Sequence, residues 1–410
     1  MAAGPVVREL LPNGLTVVVR ESPGAPVVAL TLLVGVGSRH ETRETNGVTA
    51  LVGRVLLKGT RRRSALELAQ TAEDAGGTLE SATDQEYAEL RGRGLARHWP
   101  TLLELLHEVA TAPRFAPDEV ERERGLLLAQ IRGLEDQPFQ VANRLLSRAL
   151  YGEHPFGLPT AGTLATVGRL DGADLVRHFE RFFTPDRMVL AVSGQVETGE
   201  VLRQAGRLFG SMDGRATGIP LVPPPTRPAE ARLAEVRPTQ QTHVLVGFFA
   251  PPIAAADYAP LKVLNAVLGS GMSSRLFRVL RDEHGLAYAV GSFYPTRREG
   301  SRLVIHVGTA PGNATRAERG ILQEVDRLRE EMVPADELER ARTFLGGVLD
   351  LDLRTNARQS FYRGFFELMG VGPDYVERYH QLIEAVTSDD VRRVARRYLS
   401  EPAAAVVGPA

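Results

Sequence analysis

Cysteine is absent from the 410 residues. That excludes disulfides, thiol nucleophiles and thiolate-ligated metal in one step. An excess of one charge is also missing. Lys and Arg total 49 against 50 Asp and Glu, a formal net charge of -1. The electrostatics therefore point to no nucleic acid or other polyanion. No apolar run reaches the roughly eighteen residues that a membrane-spanning helix needs. The segment that opens the chain, MAAGPVVRELLPNG, has no basic stretch followed by an apolar one. No secretory leader is legible there, so a cytoplasmic location is expected, or a periplasmic one if a leader was removed. Nucleotide loops are lacking too. Gly35-Val36-Gly37 has no third glycine, and no G-x-x-x-x-G-K-[ST] occurs.

What is present is the make-up of a soluble globular protein, 43% hydrophobic and 24% charged. The length exceeds what one ordinary core accommodates, so two domains are expected. An internal repeat says where they lie. The run from Pro117, PDEVERERG, is echoed by ADELERART from Ala335. A second helical stretch follows each: ANRLLSRALYG from Ala142, ARQSFYRGFFELMG from Ala357. Each half then closes on an amphipathic helix and an apolar strand ending in glycine, MVLAVSG and AAAVVG. Three matches in the same order make a duplication. Between the halves, Thr217 to Leu233 carries five prolines, which disfavour helix and central strand and suit an extended linker. The expected organisation is a first domain over 1–216, a linker over 217–234 and a second domain over 235–410.

Each half alternates strands and helices. LTVVVRE from Leu15 and VVALTLLV from Val27 are β-rich. Ser64 caps a helix that stops at Gly76, and Pro117-Asp118 opens another. The fold class is α+β: two homologous domains, each a mainly antiparallel sheet covered by helices.

The segment Asn46 to Thr60, NGVTALVGRVLLKGT, resembles the active-site helix of the pitrilysin-type (inverzincin) metallopeptidases, written G-x-x-H-x-x-E-H-x-x-F-K-G-T. In that family two histidines four apart face one zinc, and the glutamate between them takes a proton from the bound water. Here the three positions are Ala50, Gly53 and Arg54. The third zinc ligand of the family, a glutamate on a later helix, falls on Gln130, and Glu123 matches a second acidic residue. Alanine and glycine offer no ligand atom, arginine repels a metal, and an amide is a poor substitute for carboxylate. The resemblance therefore implies a zinc-less, non-catalytic member, and the nine histidines supply no alternative pair at helical spacing.

Gly269 to Phe293, GSGMSSRLFRVLRDEHGLAYAVGSF, is the run most similar to the family. Carried over by position, Arg281 and Tyr288 are its Arg/Tyr pair, which binds a peptide carbonyl and donates to the oxyanion opposite the zinc. A structural role is expected for Arg275. The stretch from Ala75 resembles the strand on which these enzymes lay an extended substrate, with Thr78, Glu80 and Ala82 as candidate contacts. Glu80-Ser81 stands where the family often has Asn-Ala.

The resemblance implies one half of a clamshell, inactive alone. Its partner would be a homologous subunit with an intact H-x-x-E-H and the zinc, and its substrate an unfolded or short peptide. Arg281 and Tyr288 would serve the partner's site. The alternative is an inactive scaffold or a peptide-binding homodimer, as in the non-peptidase core proteins of the cytochrome bc complex.

Overall fold

The computed structural model describes residues 4–214 and 223–410. The first part of the expected linker, with the boundary at 216/217, lies outside the described residues. The last part of that linker joins a strand, Arg232–Val236.

The chain forms two compact units, Met1–Ile131 with Pro159–Leu221 and Leu351–Val376, and Arg132–Leu158 with Val222–Asp350 and Glu377–Ala410. The first holds strands β1 (Val6–Leu10), β2 (Thr16–Glu21), β3 (Val27–Val34), β4 (Thr78–Thr83), β5 (Ala88–Leu95) and β6 (Met188–Gly194). Its helices are α1 (Val48–Val55), α2 (Ala65–Asp74), α3 (Trp99–Thr111) and α4 (Pro117–Glu135), then α6 (Leu164–Val167), α7 (Gly172–Phe182), α8 (Thr198–Phe209) and α12 (Asn356–Leu368). The second holds α5 (Pro138–Tyr151), β7 (Arg232–Val236), β8 (Thr242–Ala250), α9 (Tyr258–Gly269), β9 (Ala289–Phe293), β10 (Ser301–Thr309) and β11 (Ala403–Gly408). Helices α10 (Ala314–Glu330), α11 (Ala335–Asp352), α13 (Tyr375–Glu384) and α14 (Ser388–Tyr398) complete it.

The sheets repeat each other. The first runs β1-β2-β6-β3-β5-β4 and the second β7-β11-β8-β10-β9. In each, one neighbouring pair is parallel (β2 with β6, β7 with β11) and all the others are antiparallel. Setting β1 aside, strand order and direction coincide between the halves, as duplication requires. In both, the third strand along the chain, β4 or β9, ends at an edge.

The units are not contiguous in sequence, and the 1–216/235–410 division misses an exchange. Helix α5, from the first half, packs on β8 and β11, while α12, from the second half, packs on β3 and β6. The reason lies in β3. Leu30, Leu32 and Val34 feed the core that includes Leu51, Leu102 and Leu106. The opposite face carries Thr31 and Leu33, which are just as buried. Thr31 Oγ1 bonds Ser360 Oγ at 2.8 Å, and α12 lies so close at Gly364 that a Cβ there would stand 3.2 Å from Leu33 Cδ1 and 3.1 Å from Ala191 Cβ. A strand covered on both faces reads as a continuous apolar run. In the second sheet α5 does the equivalent with Leu146 and Leu150 over Gly247, and Arg302 on β10 donates to Asn143 Oδ1 and Ser147 Oγ at 2.8 and 2.6 Å.

Candidate functional site

The site begins with how α1 starts. Gly47 precedes the helix with φ +96°, a left-handed conformation that favours glycine. A Cβ there would stand 2.6 Å from Val167 Cγ2. The first amides of α1 are capped from a distance. Glu41 accepts from Gly47 N and Thr49 N, both at 2.8 Å, and from Asn46 Nδ2 at 2.9 Å. A carboxylate there satisfies orphan donors and complements the helix dipole. Glu41 is buried, and burial pushes its carboxyl up against the opposing pull of those donors. From the flank, His178 on α7 shares a 3.0 Å hydrogen bond with Thr49 Oγ1.

The helix so fixed presents Arg54 to α4. Arg54 Nε lies 3.2 Å from Glu123 Oε2, and Arg54 Nη1 donates to Gln130 Oε1 at 2.9 Å. Lys58, just beyond the helix, places Nζ 3.1 Å from Glu123 Oε1. On α4, Glu123, Leu127 and Gln130 follow one another at helical spacing along the face turned to α1. The Glu123 side chain is 4% exposed. The structure thus brings together three residues matched by position to the zinc site, Arg54, Gln130 and Glu123.

Zinc does not fit this donor set. A structural or catalytic zinc takes at least three protein ligands. Here the one carboxylate is already occupied by two cations. No group of three or more His, Cys, Asp and Glu able to hold a metal occurs among the described residues. Ala50 packs against the core. Gly53 stands where the family carries its general base, and β4 lies against it. Ser81 Oγ donates to Gly53 O, and a Cβ on Gly53 would meet Thr83 Cγ2 at 2.7 Å. The resemblance picked out Ala50, Gly53, Arg54 and Gln130 as losses. It missed that Arg54 and Lys58 rebuild the centre as an ion pair, although Lys58 belongs to the quoted K-G-T.

Strand β4 is an edge strand of its sheet. Its register sets Thr78 opposite Arg93, Glu80 opposite Arg91 and Ala82 opposite Glu89. Glu80 is ion-paired with Arg91 and Arg93 at 3.3 and 3.1 Å.

In the second unit, α9 ends at Gly269 and a tight turn leads into Phe277–Glu283, a π-helix. His284 N donates to Val279 O at 3.1 Å, the five-residue step of such a coil. Segments of this kind are rare and recur at functional sites. Two anchors hold it. Arg275, 7% exposed, forks onto Glu337 at 2.9 and 2.7 Å, which gives it the structural role expected. Leu280 is fully buried where α10 has Gly320. Arg281 points outward with its guanidinium 4.8 Å from the Phe277 ring centre. Tyr288 is 65% exposed, while its amide donates to Gly308 O at 2.9 Å. Among the described residues no group hydrogen-bonds to either side chain, so both keep all their donors.

Comparison with known proteins gives the family. A family model described as "Insulinase (Peptidase family M16)" matches residues 16–164, and one described as "Peptidase M16 inactive domain" matches residues 169–345. The chain is 30% identical to the "Uncharacterized zinc protease YmxG" of Bacillus subtilis, over 97% of either chain. It is 32% identical to an uncharacterized zinc protease of Streptomyces coelicolor, over 99% of this chain and 90% of that one. Among solved structures, a protease from Helicobacter pylori superposes with a TM-score of 0.92 at 20% identity, covering 99% of both chains. A peptidase M16 inactive domain from Pseudomonas fluorescens gives 0.91 at 20% identity, covering 99% of this chain and 98% of that one. The chain belongs to peptidase family M16, the pitrilysin-type peptidases.

Proposed function

We propose that this chain is the non-catalytic subunit of a heterodimeric zinc peptidase, cleaving nothing alone and lending Arg281 and Tyr288 to the zinc site of a homologous partner. The observation that carries this reading is the unequal fate of the two halves. At the position of the metal, Arg54 is ion-paired with the buried Glu123. Arg281 and Tyr288 remain exposed, with free donors, on a braced π-helix and the residue leading into β9. Tyr288, held at its backbone amide, keeps its hydroxyl in solvent and open to a ligand. In the partner's site Arg281 would hold a substrate carbonyl with two parallel N–H donors. Tyr288 Oη would donate to the oxyanion formed as water attacks. Thr78, Glu80 and Ala82 on β4 would offer backbone groups to an extended, unfolded peptide.

The test is reconstitution. The purified chain is assayed on an unstructured peptide alone and mixed with a homologue that carries H-x-x-E-H. Cleavage only in the mixture, lost with Arg281→Ala, supports the reading. Full cleavage by the homologue alone, unchanged by this chain, would identify a scaffold or a homodimer instead.

A further inference from the structure

Three features of the first unit lie along α1 and β4, and the peptidase reading leaves the first and the third of them unused. The first is an unbalanced charge. Arg54 and Lys58 share the single carboxylate of Glu123, and Gln130 is neutral, so the cluster carries one net positive charge. Among the described residues Arg54 Nη2 has no hydrogen-bond partner, and Lys58 has no partner but Glu123. Arg54 and Lys58 are 32% and 29% exposed, within reach of a ligand.

The second is the neighbouring strand. Gly53 O accepts from Ser81 Oγ, so Arg54 leaves α1 beside the middle of β4, whose outer edge pairs with no strand among the described residues. An extended segment added there has its ends fixed by register.

The third is a cavity of about 180 Å³ between α2, the residues after α1 and the start of β4. Leu57, Leu68, Ala69, Ala72, Thr78 and Leu79 line it. Its floor is aliphatic, with Glu73 also on the lining, and a space near 150 Å³ accommodates a group the size of benzene. Leu79 is on the β4 face that also carries Ser81 and Thr83 toward α1. Alternate side chains of an added strand would project to that same face.

We propose that this chain captures the C-terminal end of an extended peptide. The free α-carboxylate is held by Arg54 and Lys58, the backbone pairs with β4, and an aliphatic side chain near the terminus fills the Leu57/Leu79 cavity. The charge complementarity selects the occupant: one net cation takes one carboxylate, and the adjoining cavity takes a hydrocarbon rather than a second charge. Replacing the metal by an arginine would thus have turned a cleavage centre into an end-recognition centre. This inference rests on the reading of β4 as a docking strand and is independent of Arg281 and Tyr288.

The experiment is fluorescence anisotropy with the full-length chain and three fluorescein-labelled, unstructured decapeptides. One ends in leucine as the free acid. One is the same peptide as its C-terminal amide. One is amidated and carries an internal aspartate. A charge-assisted contact predicts about tenfold weaker binding of the amide than of the acid. The internal aspartate should not restore the loss. Arg54→Met, with its fold verified by circular dichroism, should bring acid and amide together, whereas Arg54→Lys should retain part of the difference. Equal affinity of acid and amide in the unaltered chain overturns the carboxylate site while leaving strand docking intact. Binding of the internal-aspartate peptide as tight as the acid overturns end recognition. Binding of none of the three overturns both the site and the docking strand.

Discussion

Arg54 on α1 and Gln130 on α4, 76 residues apart in sequence, are joined by a 2.9 Å hydrogen bond from Nη1 to Oε1. In the catalytic members of the family these two positions hold a metal between them. Here an arginine spans the gap and donates directly to the amide. With the Glu123 pair, the contact performs the mechanical task of a metal, tying α1 to α4, without its chemistry. A guanidinium has no empty orbital for water, and its charge is fixed at any ordinary pH.

Removing that tie should cost stability. Arg54→Ala leaves the buried Glu123 with Lys58 alone. Because Arg54 is about one-third exposed, the loss is well below that of a fully buried pair, about 1–2 kcal/mol. Urea denaturation followed by circular dichroism measures it. Arg54→Ala/Glu123→Gln should not recover the loss, since Glu123 is still paired with Lys58 in the single variant and its removal leaves Lys58 without a partner.

Metal uptake gives a second outcome. After equilibration with zinc and desalting, the chain should retain less than about 0.1 zinc per molecule, because one occupied carboxylate is no tetrahedral site. Ala50→His/Arg54→His/Gln130→Glu puts two imidazoles at helical spacing across from a carboxylate and should raise the zinc content measurably. Stoichiometric zinc in the unaltered chain would contradict the account of the donor set.

Gly53 offers a packing test. In a free helix Gly→Ala gains about 1 kcal/mol. Here the new Cβ would stand 2.7 Å from Thr83 Cγ2, so Gly53→Ala should destabilise by about 1 kcal/mol or more. Thr83→Ser deletes that methyl. In its background Gly53→Ala should become neutral or stabilising, a sign change that a double-mutant cycle reads directly.

His178 gives a pH dependence. Burial is the largest effect, with His40 and Arg181 adding to it, and the imidazole is pushed down to about 3. The unfolded chain takes up a proton near pH 6.5. Below that value the unfolded state therefore binds more protons than the folded one. The contribution of His178 is complete above pH 6.5 and is lost as pH falls toward 3. Between pH 7 and pH 5 the loss is about 2 kcal/mol. His178→Gln can keep the bond to Thr49 and should flatten the stability profile across that window.

The elements that were legible in the sequence are those fixed locally. Ser64 announced α2 because its hydroxyl and the Glu67 carboxylate form a capping box within four residues. The apolar runs of β3 and β6 announced central strands. The repeat announced two like sheets, and the sheet orders agree down to the position of the parallel pair. The exchange of α5 and α12 was not legible. An amphipathic pattern says that a face is buried but not against which sheet, and nothing in ANRLLSRALYG names β8 as its neighbour. The π-helix left no trace either, since seven residues are too few to display its period. At the site, Arg54 was legible as a missing ligand. Its bond to Gln130 and the approach of Thr83 to Gly53 were not, because both depend on packing across tens of residues.

The central claim is that this chain assists another chain's metal without having its own. The most direct measurement is the cleavage rate of an unstructured peptide by an H-x-x-E-H homologue, with and without this chain, and with Tyr288→Phe in its place. The account predicts no cleavage by this chain alone, activity when the two are mixed, and a fall of about a hundredfold with Tyr288→Phe, the scale of one lost oxyanion donor. A mixture as active with Tyr288→Phe as with the unaltered chain would contradict it.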